Sequence, residues 1–138
     1  MSIPDLCKIE DAEIVCRYED VAVLLEDTVK KVFFDGFVVF SNGSILARKG
    51  TLNIVLLARY YGREVIGVCG SWNYCGDAPM SDLELEDKYG ERVMEEYDLI
   101  EGRMLSCIVM ESGSIIATQV PYYISEGYKN TGIEMISW

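Results

Sequence analysis

FFDGFVVFSNGSILARKGTLNIVLLARYYGREVIGVCGSWNYC, residues 33–75, decides how this chain folds. Asn42-Gly43-Ser44 spells a tight turn, because asparagine and glycine tolerate the backbone conformations that turns demand. Gly50-Thr51 then marks a helix start, with the Thr51 hydroxyl placed to cap it. Leu52, Ile54, Val55, Leu56, Leu57, Ala58, Tyr60 and Tyr61 make that helix apolar nearly all round, and Gly62 stands just past its end. Such a helix is sandwiched between layers or buried against a partner. Glu64 to Cys69 is a continuous apolar run of the parallel-sheet kind. Turn, helix and buried strand in this order form one unit of a parallel α/β sheet.

Just upstream, Lys31 to Phe34 reads as a buried strand, Asp35-Gly36 as a turn, and Phe37 to Phe40 as a second apolar run. Residues 1–11 read as a lead-in and Ala12 to Tyr18 as a short strand. Glu19 to Asp27 reads as a short helix burying Val21, Leu24 and Leu25. Downstream, 76–102 reads as an acidic surface excursion. It carries Asp82, Glu84, Glu86, Asp87, Glu91, Glu95, Glu96, Asp98 and Glu101 against the bases Lys88 and Arg92, with one helical piece around Glu91 to Tyr97. Met104 to Met110 returns as a strand and Ser112-Gly113-Ser114 turns the chain. Val120 to Tyr128 is a terminal helix, with Thr118 as its cap and Pro121 in its first turn. Strands alternating with helices predict a layered α/β domain with a mainly parallel sheet, one domain over residues 1–138. Ligands of such sheets bind at the strand C-terminal ends.

Composition removes several functions. The net charge is −11, from 23 acidic and 12 basic residues, and an acidic surface repels a phosphate backbone. Direct nucleic-acid binding is therefore not expected. There is no histidine, so the commonest general base and metal ligand are missing. Cys7, Cys16, Cys69, Cys75 and Cys107 form no CxxC pair, and a zinc site would need nearly all its ligands from thiolates. The cysteines read as free thiols of a reducing compartment, with no metal and no cofactor. The N-terminus lacks the basic and apolar regions of a secretion signal, and no apolar run is long enough to cross a bilayer.

The phosphate-cradle candidates are Asn42, Gly43, Arg48, Gly50 and Thr51. A helix start offers free N–H groups to an anion and Arg48 adds charge, although a turn followed by an ordinary cap would look the same. Neither a GxGxxG nor a P-loop pattern is present. The acids of 84–96 read first as a solvated face and otherwise as a dock for a basic partner. Trp72, Asn73 and Tyr74 follow a buried strand, where aromatics serve either as interface anchors or as a lid on the core. Tyr122, Tyr123 and Tyr128 pose the same choice.

The run SNGSILARKGT, Ser41 to Thr51, resembles the NGS-x-x-x-[RK]-x-GT segment in regulatory subunits of eukaryotic translation initiation factor 2B. VCGSWNYC resembles that family's V-x-C-C-E-T-Y-K-F-C stretch, with Cys69, Trp72, Tyr74 and Cys75 in corresponding places. The aromatic-Cys ending resembles the delta subunit more than alpha or beta. Tyr97-Asp98, Glu111, Gly113, Ile115, Thr118 and Val120-Pro121 follow the delta-like pattern Y-D-x(12)-E-x-G-x-I-x-x-T-x-V-P, and Cys16 and Tyr18 match an upstream P-C-S-Y-like strand. Lys49 departs from the family's apolar residue, Ile116 from its proline, and the Pro-Pro near Glu101-Gly102 is absent. The family's N-terminal helical domain, its first sheet strand and the helix after that strand have no counterpart in this sequence.

The resemblance implies a Rossmann-like three-layer C-terminal domain and a non-catalytic, cytoplasmic role. Its implied partners are the alpha, beta, gamma and epsilon sister subunits of the guanine-nucleotide exchange complex and initiation factor 2. The implied contacts are the helix Thr51 to Tyr61, then Trp72, Asn73 and Tyr74, and finally Thr118, Pro121 and Tyr122. The same superfamily includes sugar-phosphate isomerases acting on methylthioribose-1-phosphate or ribose-1,5-bisphosphate. Their catalytic Asp lies in a G-A-D-R-I segment, and Phe37 holds that place here. A homo-oligomeric scaffold, dimeric in isolation, is the third reading, because an incomplete sheet leaves an edge open.

Overall fold

The computed structural model describes residues 7–8, 13–14, 20–27, 29–111 and 113–130. β1 (Cys7–Lys8) and β2 (Glu13–Ile14) pair antiparallel as a separate two-stranded ribbon. The rest of the strand expected over Ala12 to Tyr18 lies outside the described residues.

The main sheet is built on β3, Lys31–Phe40. β5 (Glu64–Val68) runs parallel to β3, and β8 (Cys107–Met110) runs parallel to β5. These strands form the parallel core. Antiparallel strands extend it on both sides: β4 (Ile45–Arg48) and β7 (Tyr97–Ile100) beyond β3, and β9 (Gly113–Ile115) beyond β8. The order is β7-β4-β3-β5-β8-β9. The expected parallel sheet is therefore confined to the centre.

β3 corrects the turn expected at Asp35-Gly36. The strand runs through it, and a bulge sets Gly36 opposite Ala47 but Val38 opposite Leu46. Gly36 provides clearance there. A Cβ on it would lie 2.5 Å from Ile45 Cγ2 and 2.8 Å from Cys69 Sγ. At the same level β5 leaves β3, and the chain makes a 3-10 turn over Ser71–Asn73. β6 (Tyr74–Cys75) then pairs with the C-terminal end of β3, at Val39 and Phe40.

Side-chain alternation divides the core between the two faces of the sheet. On one face α1 (Val21–Asp27) and α2 (Thr51–Tyr60) cover Ala47, Val65 and Ile100. Farther along that face, α5 (Val120–Asn130) seats Val120 and Ile124 on Val39, Ile45, Ile108 and Met110. Arg63 ties α1 down by donating from Nε to the Leu25 carbonyl at 2.7 Å and from Nη2 to the Glu26 carbonyl at 2.8 Å. On the opposite face α3 (Asp82–Tyr89) and α4 (Val93–Glu96) cover Phe40, Leu46 and Leu99, with Leu85 as the buried contact. The result is a three-layer α/β arrangement around one main sheet.

Three further expectations are corrected. Residues 76–102 are more than a surface excursion, because β7 lies within the sheet and buries Asp98, Leu99 and Ile100. β9 occupies the expected turn at Gly113-Ser114; Ser112 is outside the described residues. Thr118 lies inside a 3-10 turn (Ala117–Gln119) that leads into α5, so it does not cap that helix.

Candidate functional site

The parallel strands β3, β5 and β8 end at Phe40, Val68 and Met110. Past those ends lie the Ser41–Ser44 turn, the Cys69–Asn73 segment and Glu111, the edge where ligands of such sheets bind. The turn is fully engaged. Asn42 Oδ1 accepts the Ser44 N–H at 3.1 Å, and Asn42 Nδ2 donates to the Pro79 carbonyl at 2.9 Å. Gly43 has φ 82°, the left-handed region that glycine enters freely. A Cβ there would also fall 2.3 Å from Ala117 Cβ. The Asn-Gly pair thus joins β3 to β4 while bearing directly on the segment that enters α5.

The Cys69 thiol is buried, and this pushes it up to about 11, with the Asp35 and Glu111 carboxylates adding to the effect. It stays protonated at neutral pH, the opposite of an activated nucleophile. Glu111 Oε1 accepts the Ser71 N–H at 2.8 Å, pinning the crank between β5 and β6. Burial would raise the Glu111 carboxyl, but the Ser71 hydrogen bonds outweigh it and hold it below the ordinary range.

Trp72 stands on this crank with 78% of its surface exposed. Its ring lies over Gly70, where a Cβ would come within 2.3 Å of the indole. Asn73 and Tyr74 are half-buried, whereas Thr118, Pro121 and Tyr122 are exposed. The indole is thus an exposed aromatic surface supported from below by glycine.

Arg48, Gly50 and Thr51 lie elsewhere. Arg48 is the last residue of β4 and Gly50 and Thr51 come after it, so the strand's length separates all three from Asn42 and Gly43 and the five cradle candidates do not converge. The cap of α2 also differs from expectation. Gly50 is the N-cap at φ 101°, and no side chain of its own caps the helix. Asp98 of β7 supplies the acceptor instead. Its Oδ2 takes the Gly50 N–H at 2.8 Å and the Leu52 N–H at 3.1 Å, and its Oδ1 pairs with Lys49 Nζ at 3.2 Å. The protein's own carboxylate occupies the position an external anion would take at this helix start.

Phe37 is the extra residue of the bulge. It is 44% exposed, with its ring edge-on to Tyr97 at 5.1 Å between centroids. Among the described residues no group of three or more Cys, Asp or Glu converges on a metal position, and no helix is long and apolar enough to cross a membrane.

Sequence reasoning took Tyr97-Asp98 only as part of a motif and missed its capping role, which no local pattern announces. It passed over Asp77 altogether. The Ser81-x-x-Glu84 capping pattern would have located α3, where Ser81 Oγ accepts the Glu84 N–H at 3.3 Å.

No protein-family model matches the chain. It is 25% identical to the translation initiation factor eIF2B subunit delta of Schizosaccharomyces pombe over 143 aligned positions, covering 82% of this chain and 31% of the relative. In fold it is similar to eIF2B beta from Chaetomium thermophilum, with TM-score 0.66, 22% identity and coverage of 85% of this chain and 34% of that one. It is also similar to a chain of the tetrameric eIF2B-beta2-delta2 complex of C. thermophilum, with TM-score 0.62, 24% identity and coverage of 76% and 34%. The 5-methylthioribose 1-phosphate isomerase of Pyrococcus horikoshii shares the fold at TM-score 0.62 and 16% identity, over 80% of this chain and 36% of the enzyme. The chain spans about a third of the length of these proteins. In sequence it resembles an eIF2B regulatory subunit of the delta kind, and in fold it matches eIF2B subunits, over a length that suits their C-terminal domain.

Proposed function

We propose that this chain is a non-catalytic, delta-like regulatory subunit of an eIF2B-type guanine-nucleotide exchange complex. It assembles in the cytoplasm with alpha, beta, gamma and epsilon sister subunits and contacts initiation factor 2. The ordered similarity to a delta subunit over 82% of the chain carries this reading. Trp72, Asn73 and Tyr74 on the crank, with Thr118, Pro121 and Tyr122 at the start of α5, form the proposed contact surface. Trp72 is the anchor because a large exposed aromatic gains most from losing water.

The isomerase alternative has the shared fold in its favour. Against it, the resemblance sets Phe37 where the isomerases have their catalytic Asp, and a hydrocarbon ring cannot carry a proton. A small phosphate ligand bound by Asn42, Gly43, Arg48, Gly50 and Thr51 would have to reach both ends of β4 and displace the Asp98 carboxylate from the Gly50 N–H.

Light scattering after size exclusion tests the proposal, first on the chain alone and then on its mixture with beta and alpha subunits. A stable mixed complex is expected. Trp72→Ala should weaken it about thirtyfold or more while leaving the folded circular-dichroism spectrum intact. A wild-type chain that remains a monomer or a homodimer in the mixture would overturn the reading, as would turnover of a ribose-type 1-phosphate above background.

A further inference from the structure

Between the 77–79 segment and α3 lies a recess of about 160 Å3, bounded mainly by Asp77, Pro79, Glu84, Leu85, Lys88 and Tyr89. Pockets that enclose a whole cofactor or drug-sized ligand run to roughly 300 Å3 or more. This one suits a single long side chain. Its apolar wall is made by buried Pro79 and Leu85, and Tyr89 lines it while remaining exposed.

The charges in and around the recess select the sign of that side chain. Lys88 is already committed, with Nζ 2.8 Å from Asp77 Oδ1. Tyr89 donates its hydroxyl to Asp77 Oδ2. Glu84 accepts the Met80 N–H through Oε2 at 3.2 Å, leaving Oε1 to meet a donor. Asp82, Asp87 and Glu91 are exposed on or just after α3, and the whole chain carries −11. A cation is attracted to this field and an anion is repelled by it.

We propose that the recess is a socket for an arginine side chain in a basic peptide segment of a protein partner. The aliphatic stem lies on Pro79 and Leu85, the guanidinium plane rests against the Tyr89 ring, and its N–H groups reach the Glu84 carboxylate. The socket is made by residues other than those of the Trp72 surface, so it stands independently of the eIF2B reading.

Fluorescence anisotropy on the full chain tests this, with a fluorescein-labelled peptide of alternating arginine and serine as the probe. Binding that weakens with salt is expected, together with loss of binding when citrulline replaces arginine. Glu84→Gln should weaken binding about fivefold, whereas Glu26→Gln, which removes the same charge from α1 on the opposite layer, should change it little. Three results would overturn the socket: no binding by the wild-type chain, undiminished binding of the citrulline peptide, or equal losses for the two substitutions.

Discussion

At the scale of single residues, Asp98 shows how a position acquires its role from elsewhere in the chain. A helix start leaves several N–H groups without intrahelical acceptors, and a nearby carboxylate answers both their hydrogen bonds and the positive end of the helix dipole. Thr51 sits at the first helical position and does not perform this task; Asp98, on a strand across the sheet, does. Asp98→Ala should therefore destabilise the fold by about 3 kcal/mol, since two donors in a closed environment lose a charged acceptor. Urea unfolding checks this, and a change below about 0.5 kcal/mol would show the cap to be dispensable. Gly36 teaches the same lesson. Its neighbour Asp35 makes the pair look like a turn, but what the structure uses is the missing Cβ, because Ile45 and Cys69 occupy that space. Neither role is written near the residue that performs it.

At the scale of elements, the central unit was readable because its signals are local and repeated. α2 has seven apolar residues in its ten positions, and β5 is a largely apolar run, so both appear where expected. β4 was not foreseen. Its four residues fall between an Asn-Gly turn and a Gly-Thr helix start, too short for alternation to emerge. α3 was also missed, because it buries only Leu85 among acids that read as solvated surface. Leu85 packs α3 on the sheet, and a side-chain latch adds to that hold: Lys88 and Tyr89 at its end grip Asp77, whose carboxyl is held low by the Lys88 hydrogen bond and then by that of Tyr89. A depressed carboxyl contributes above its ordinary value of 3.8 and loses that contribution as pH falls below it. Asp77→Asn should reproduce the acid effect at neutral pH. Faster amide exchange across Asp82–Tyr89 with unchanged protection of β3 and β5 is expected from mass spectrometry, and unchanged α3 protection would refute the latch.

At the scale of the whole molecule, the parallel core sets out one candidate edge for binding while antiparallel strands broaden the sheet around it. That edge gathers the Asn42-Gly43 turn, the Trp72 crank and the entry to α5. The sequence pointed to those three places but not to the separation of Gly50 and Thr51 from them, because β4 was unseen. One contribution to the fold's pH dependence on the alkaline side comes from Cys69. The unfolded chain ionises this thiol from its ordinary 9.0, whereas the folded protein retains the proton up to about 11. Stability should accordingly be level with respect to this group below pH 9 and decline between about 9 and 11. Tyr89, raised by its Asp77 and Cys75 hydrogen bonds, adds to the same loss. Thermal unfolding followed across that range should show a shallower decline for Cys69→Val, and identical slopes would contradict the assignment. The bond from Asp98 to α2 also bears on the order of assembly. Its two hydrogen bonds join residues 48 and 46 positions apart, so closing them requires a long loop to order first. On a chain synthesised from its N-terminus, α2 emerges well before the residue that completes its first turn. The helix can form early but is finished late, and docking of β7 is the event that commits both layers together.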